Sequence, residues 1–454
     1  MMRCKRQLCL LLGGSIGLLL LLVLIEYSPV NLIQKNSFFS HANEKKLLSS
    51  SAIERTRNST SSASYSSING IKTILLWDNS WGFRFHPVGR AVFINEGCPI
   101  NSCFITYNSS YVDNYNFDAF LVHPPTQREP WKKLKNRRHD QIFVMFTTEP
   151  PMHMPPLQPF DGYFNWTISY RSGSDFHLPY GEILPMPTAP TSMEEVEALR
   201  ADVIRANVNP ARGKTKLAIW LVSNCNAPSN RAEYVQKMRK YMKVDIFSQD
   251  GRCGGVDGCP RSSNENVCYN TIERDYKFYL SFENSICDEY VTEKFYEMIA
   301  RNILPVVLGG ANYASIAPPH SYINALDYTP QQLAEYLMRL DANDTLYTEY
   351  FWWKPHYQVR GLRNMNRRVF CNLCAALHST PLKQQTLTSL QKWYVDDAHC
   401  RNHPHYWSLH CLKLRKNFFT SSVSHFHMIH NLFSSFPCTP LVRILIISIW
   451  IRFR

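Results

Sequence analysis

Residues 276–310 read YKFYLSFENSICDEYVTEKFYEMIARNILPVVLGG. Two apolar runs, Tyr276–Phe282 and Ile303–Leu308, enclose a turn rich in acids and amides. Between them Val291–Arg301 has amphipathic helical spacing, opened by the pair Glu293–Lys294. Strand, turn, helix and strand in this order predict a crevice in an α/β sheet, where a phosphate-bearing ligand can rest against a helix start. Pro305 predicts an edge or strand-start position for the second run.

Working outward, further apolar runs predict strands at Ile71–Trp77, Phe117–Val122, Gln141–Thr147, Phe164–Tyr170, Lys216–Val222 and Val244–Phe247. Apolar residues at successive positions suit sheets covered on both faces. Helices are predicted over Met193–Ala206, Ser229–Tyr241 and Pro330–Leu340, the last with proline in its first turn. The alternation argues for α/β packing. PARGK at 210–214 marks a boundary between a domain at 71–212 and a second at 213–360, with a cleft between them. A cysteine-rich segment (361–411) and a tail (412–454) follow. The basic cluster Lys132–Arg138 is expected on a solvated face.

The ends of the chain point to compartment. Residues 1–7 carry Arg3, Lys5 and Arg6, and Leu8–Ile25 is free of charge. This predicts a signal anchor with a cytosolic N-terminus and a lumenal body, a cleaved signal peptide being the rival reading. The serine-rich stretch within 26–70 predicts a flexible stem. Of fourteen cysteines, all but Cys4 and Cys9 would be lumenal, where disulfides persist. Cys98 and Cys103 could close a small loop, and Cys371–Cys374 forms a CxxC. Disulfides are expected over a zinc site or a redox motif. Sequons stand at Asn58, Asn108, Asn165 and Asn343. A net charge of +13 favours anionic partners, but no nucleic-acid-reading signature is present.

Several side chains could carry chemistry. Glu149 ends an apolar strand and is followed by two prolines, a suitable place for a general base facing a cleft. Glu283 and Asn284 close the strand at 276–282 and can hydrogen-bond sugar hydroxyls. Thr292 is expected to cap the next helix, and Lys294 near that helix start would be explained by a bound anion. Arg231, after VSNCNAPSN, could clamp a diphosphate. Gly309–Gly310 is a weak phosphate signal. No Walker, GxGxxG, GxSxG or HExxH motif is present, and no DxD lies between an apolar strand and a polar turn. The residues favour a transferase that neutralises its leaving diphosphate with Arg231 and Lys294 and needs no metal.

Taken together, FTTEPP (146–151), FNWTISYRSGSDFHLPYG (164–181), VSNCNAPSNR (222–231), YKFYLSFENSICDEYVTEKF (276–295) and PVVLGGANYASIAPPHSYINALDY (305–328) resemble the α1,3-fucosyltransferase family in order and spacing. The resemblance implies a GT-B fold of two Rossmann-like domains and inverting transfer from GDP-β-L-fucose, without a required cofactor or metal. It makes Glu149 the general base. Arg231 and Lys294 would hold the diphosphate, Glu283 and Glu293 would meet fucose or ribose hydroxyls, and Asn284 and Tyr290 would set the nucleotide. It also implies a Golgi membrane protein acting on glycoprotein N-glycans. FCNLCAAL (370–377) and WWK (352–354) resemble the branch acting on the innermost, Asn-linked GlcNAc, the expected acceptor; a Lewis-type enzyme using N-acetyllactosamine antennae is the alternative. An inactive lumenal carbohydrate-binding protein is the alternative from another class.

Overall fold

The computed structural model describes residues 55–56, 70–77, 88–112, 116–126, 137–206, 209–256, 258, 265–379 and 385–402. The expected anchor, the stem, the sequon at Asn58 and the tail lie outside these residues. Among the described residues no helix is long and apolar enough to cross a membrane.

The first half contains β1 (Lys72–Leu76), α1 (Ala91–Asn95), β2 (Cys103–Thr106), β3 (Ala119–Val122), β4 (Ile142–Thr147), β5 (Trp166–Ser169) and β6 (Phe176–His177). The six strands form one parallel sheet, ordered β2-β1-β3-β4-β5-β6. All residues of β3, β4 and β5 are buried, the signature of a sheet packed on both faces. The edge strand β2 alternates buried and half-buried residues, so it gives no continuous apolar run and escapes a sequence reading.

A short strand β7 (Gly181–Pro185) and helix α2 (Met193–Arg205) lead to the second half. Ser192 caps α2 by accepting from the Glu195 amide. Next come β8 (Lys216–Leu221), α3 (Arg231–Met238), β9 (Val244–Phe247), α4 (Glu265–Asp275), β10 (Tyr276–Phe282), α5 (Glu293–Ile299), β11 (Leu304–Leu308), β12 (Ile323–Asn324), α6 (Pro330–Asp341) and α7 (Asp344–Thr348). Their five strands make a second parallel sheet, ordered β9-β8-β10-β11-β12. Thr329 and Gln332 form a capping box around Pro330 at the start of α6. Pro305 stands at the start of its strand, as one of the two expectations had it, but the strand is internal and not an edge one. It is tolerated because pairing with β12 begins only at Val306. The architecture is therefore mixed α/β with two parallel sheets of the GT-B kind.

The chain then returns to the first half. Strand β13 (Tyr357–Gly361) pairs antiparallel with β7, and α8 (Leu362–Leu377) packs on the first sheet. Met365, Val369, Phe370 and Leu373 share one buried cluster with Ile74, Leu76 and Val144. The small Cys98–Cys103 loop does not form. Cys98 bonds Cys371 and Cys103 bonds Cys374, so the CxxC rivets α8 to the first sheet. Cysteines distant in sequence are neighbours only once the chain has doubled back. Cys225 is likewise joined to Cys253, and Cys287 to Cys400.

The basic cluster also departs from expectation at its described end. Arg137 donates to the Tyr163 carbonyl at 2.6 Å and lies 4.1 Å over the Phe143 ring. Burial lowers its pKa to about 10. Asn165 meets Arg137 too, accepts from the Phe143 amide at 2.8 Å and donates to the Gln385 carbonyl at 2.8 Å. It ties strands together, whereas Asn108 and Asn343 are exposed.

Candidate active site

Both sheets bring chemistry to their carboxyl ends. In the second sheet the chain runs from β8 outward to β9 and then crosses to β10 on the other side. Loops after β8 and β10 therefore diverge around a crevice, the usual ligand position in such sheets. Arg231 opens α3 after β8, and Glu283 follows β10. Asn230, at φ 52°, makes the left-handed turn that delivers Arg231. Ser229 stitches the loops: its hydroxyl donates to the Glu283 carbonyl at 2.7 Å and its amide to the Asn284 carbonyl at 3.0 Å.

Arg231 is buried. Its guanidinium donates to the carbonyls of Phe282 (2.6 Å) and Asn224 (3.2 Å) and lies 5.8 Å from the Trp220 ring. Its Nε has no partner, and neither has the buried Asn284 Oδ1. Polar atoms left so in a crevice are the kind a ligand satisfies. Burial depresses the Arg231 pKa, opposed chiefly by Glu283.

Glu283 is fully buried. It accepts from the Thr292 amide (2.8 Å) and hydroxyl (2.9 Å), and Lys294 Nζ stands 3.5 Å away. Burial raises its pKa and Lys294 pulls it back. Lys294 also donates to Thr292 Oγ1 at 2.8 Å and Glu293 Oε1 at 2.9 Å. Burial works against the ammonium, but Glu293 and Glu283 outweigh it and raise its pKa. Burial likewise disfavours the Glu293 carboxylate, yet Lys294 and its hydrogen bonds hold its pKa below the usual value.

Two expectations change here. Thr292 occupies the cap position of α5 but makes no side-chain cap, because Glu283 claims its hydroxyl. Two carboxylates already explain a lysine at the helix start. Gly309 and Gly310 also answer a packing demand. A Cβ at Gly309 would lie 2.5 Å from Tyr313 Oη, and one at Gly310 2.5 Å from the Cys287 carbonyl oxygen, so both glycines permit close packing of the Glu283 loop.

Glu149 leaves the end of β4. Its amide donates to Thr147 Oγ1 at 3.2 Å, and its carbonyl accepts from Tyr394 Oη at 2.6 Å. The side chain is 45% exposed, with Oε2 3.3 Å from His153 Nδ1. Tyr180 joins the two halves: its hydroxyl donates to the Thr148 carbonyl at 2.9 Å and its ring meets that of Tyr290 edge-on at 6.4 Å. Tyr290 is buried against Tyr170 as well. Burial drives the Tyr290 pKa well above the usual value, with Tyr180, Glu283, Glu149 and Glu293 adding to it. The fold thus gathers Glu149, Arg231, Glu283, Asn284, Tyr290, Glu293 and Lys294 into one region. His153, Tyr180, Ser229 and Tyr394 join them without having been singled out. Tyr180 and Ser229 lie within quoted sequence blocks, but Tyr394 arrives from 245 residues beyond Glu149 and has no local signal. His153 could have been noticed only as a titratable group four residues from Glu149.

Among the described residues the grouping able to hold a metal is Cys103, Cys374 and His378. Its two sulfurs are joined to each other, which removes the thiolates a metal would need.

The family profile "Fucosyltransferase, N-terminal" matches residues 69–181, and "Glycosyltransferase family 10 (fucosyltransferase) C-term" matches 211–393. The Drosophila melanogaster protein alpha-(1,3)-fucosyltransferase C is 31% identical, over 85% of this chain and 90% of its own. Glycoprotein 3-alpha-L-fucosyltransferase A of the same organism is 33% identical, over 73% and 61%. The Homo sapiens 4-galactosyl-N-acetylglucosaminide 3-alpha-L-fucosyltransferase FUT5 is 32% identical, over 71% and 79%. The matched profiles cover both sheets, and with them both halves of the site. The chain belongs to glycosyltransferase family 10 and is a GDP-fucose-dependent fucosyltransferase.

Proposed function

We propose that this enzyme transfers L-fucose with inversion from GDP-β-L-fucose to the 3-hydroxyl of N-acetylglucosamine in galactosyl-N-acetylglucosaminide antennae. Glu149 takes the hydroxyl proton, the acceptor oxygen bonds to the anomeric carbon, and the bond to GDP breaks on the opposite face. One displacement turns β into α without an enzyme nucleophile. The leaving diphosphate is met by Lys294 and Arg231, fixed cations that need no reorganisation as charge develops. Glu283, buried and bonded to Thr292 and Lys294, serves as the support that aims Lys294, while Glu293, partly exposed and bonded to Lys294 through Oε1, is the carboxylate placed to reach a sugar or ribose hydroxyl. Asn284 and Tyr290 help seat the nucleotide. The domain at 71–212 serves the acceptor and that at 213–360 the donor.

The observation that carries this reading is the Arg231–Glu283–Lys294 cluster at the strand-order switch of the second sheet, facing Glu149 across Tyr180 and Tyr290. Two considerations support this choice of acceptor. The CxxC is bonded at the amino end of β2, away from the carboxyl ends that carry Glu149. In WWK both tryptophans are buried, and Lys354 donates to the carbonyls of Ile299, Ala300 and Arg301 at 3.2, 3.3 and 2.6 Å, closing the end of α5. Both motifs have structural work, so neither argues for the core acceptor. Several relatives are named for galactosyl-N-acetylglucosaminide acceptors. The similarity to glycoprotein 3-alpha-L-fucosyltransferase A supports a second reading, transfer to the innermost N-glycan GlcNAc. The disulfides and the charge-free segment at 8–25 support a lumenal, Golgi-anchored enzyme.

The test is full-length enzyme with labelled GDP-fucose, N-acetyllactosamine and a trimmed N-glycopeptide, each with and without EDTA. Label on N-acetyllactosamine in α1,3 linkage, unaffected by EDTA, supports the proposal. Label confined to the innermost GlcNAc moves the enzyme to the second reading. GDP-fucose binding without transfer to either would favour a binding protein.

A further inference from the structure

We infer that His153 is a positioning residue for Glu149, holding one carboxylate oxygen so that the other faces the acceptor hydroxyl. The inference rests on Glu149 being the base.

The backbone makes the pair. Pro150 is extended (φ −72°, ψ 158°), and Pro151–His153 then forms a single 3-10 turn in which the His153 amide donates to the Pro150 carbonyl at 2.9 Å. Two adjacent prolines leave this spacer few alternative conformations. The turn swings the imidazole back over the preceding strand end, Nδ1 to 3.3 Å from Glu149 Oε2. The Glu149 backbone is held by Thr147 through its amide and by Tyr394 through its carbonyl, so the side-chain torsions carry most of its remaining freedom. The carboxylate is 45% exposed and the imidazole 28%. The pair is therefore partly accessible to an incoming sugar. With Nδ1 protonated, His153 donates to Oε2 and leaves Oε1 as the proton acceptor, since a base works only within hydrogen-bond reach of its proton. On the far side, the turn packs against Gln391–Val395, where Lys392 is occupied by Asp397 at 2.7 Å and Tyr394 by Glu149. Neither competes for the imidazole.

The test uses full-length enzyme carrying His153→Ala, His153→Asn or Glu149→Gln, with kcat and KM for both substrates, melting temperature and GDP-fucose affinity. Asparagine can place an N–H near where Nδ1 stood. His153→Ala is expected to lower kcat about 30-fold, the scale of a misplaced reacting group, with KM for GDP-fucose and the melting temperature unchanged. His153→Asn is expected to stay within about threefold of the wild type. Wild-type kcat in His153→Ala, or an equal loss in His153→Asn, would overturn the inference. If His153→Ala does not fold, His153→Phe, which keeps ring bulk without the N–H, takes its place and is read in the same way. Undiminished transfer by Glu149→Gln would remove the base assignment and this inference with it. Loss in Glu149→Gln beside wild-type rates in His153→Ala would remove the inference alone.

Discussion

Replacing Lys294 with methionine separates the structural and chemical roles of the donor-side cluster. The substitution leaves Glu283 fully buried, with Thr292 still donating but no cation at 3.5 Å. A buried carboxylate that loses its countercharge becomes protonated instead of remaining charged. Protonation at pH 7 bounds the cost. About 1.4 kcal/mol per unit, over the interval above the ordinary value of 4.5, comes to about 3 kcal/mol. For a domain of this size that lowers the melting temperature by roughly 6–12 °C. The sign follows from the raised Glu283 pKa: its contribution is fully present below 4.5 and is lost as pH rises. The penalty in Lys294→Met should therefore shrink to under about 1 kcal/mol at pH 5. Adding Glu283→Gln, whose amide oxygen still accepts from Thr292, should restore most of the melting temperature at pH 7 and remove the pH trend. Transfer should remain at least about 100-fold down in both variants, because under the proposed mechanism only Arg231 would be left to meet the charge that develops on the diphosphate. The assay is thermal melting from pH 5 to 8 beside label transfer to N-acetyllactosamine. A Lys294→Met protein that melts with the wild type at every pH, or a double variant that transfers fucose, would refute the reasoning.

Other consequences are open to measurement. Lys354→Met strips three carbonyls at the end of α5 of their donor and should cost about 2 kcal/mol in urea unfolding, without changing the preference between N-acetyllactosamine and N-glycopeptide. A changed preference would reinstate WWK as an acceptor determinant. His320 stacks on Tyr350 with ring centroids 3.9 Å apart, and burial, then Arg200, lowers its pKa to about 4. Stability from the neutral ring is therefore present above 6.5 and lost as pH falls toward 4, by about 3 kcal/mol at most; His320→Gln should flatten that limb of the unfolding profile. Peptide mapping after glycosidase treatment should find Asn165 unmodified, since its amide is bonded in both directions, and an Asn165 glycan on folded, active enzyme would contradict its position between strands.

Much of this protein was legible along the chain because its information is local. Tyr276–Phe282 and Ile142–Thr147 read as buried strands because each residue in them that faces either side of a sheet is covered. The turn-forming residues that follow these strands put Glu283 and Glu149 at their ends. What escaped depends on chain segments that meet only after folding. β2 is half-covered at an edge and carries no apolar run. α8 belongs to a sheet nearly three hundred residues earlier, and the Cys98–Cys371 and Cys103–Cys374 pairs exist only because it returns there, across separations of 273 and 271 residues. The same holds inside the site. Sequence alone marks Lys294 as a cation near a helix start, but only tertiary packing supplies the buried carboxylate that holds it. Likewise Glu149 is recognisable by its strand and prolines, whereas its anchoring by Tyr394 is decided by the turn Gln391–Val395 packing against the first sheet. Residue type and periodicity determine which groups are available; burial and distance, set by the whole fold, decide what each is free to do.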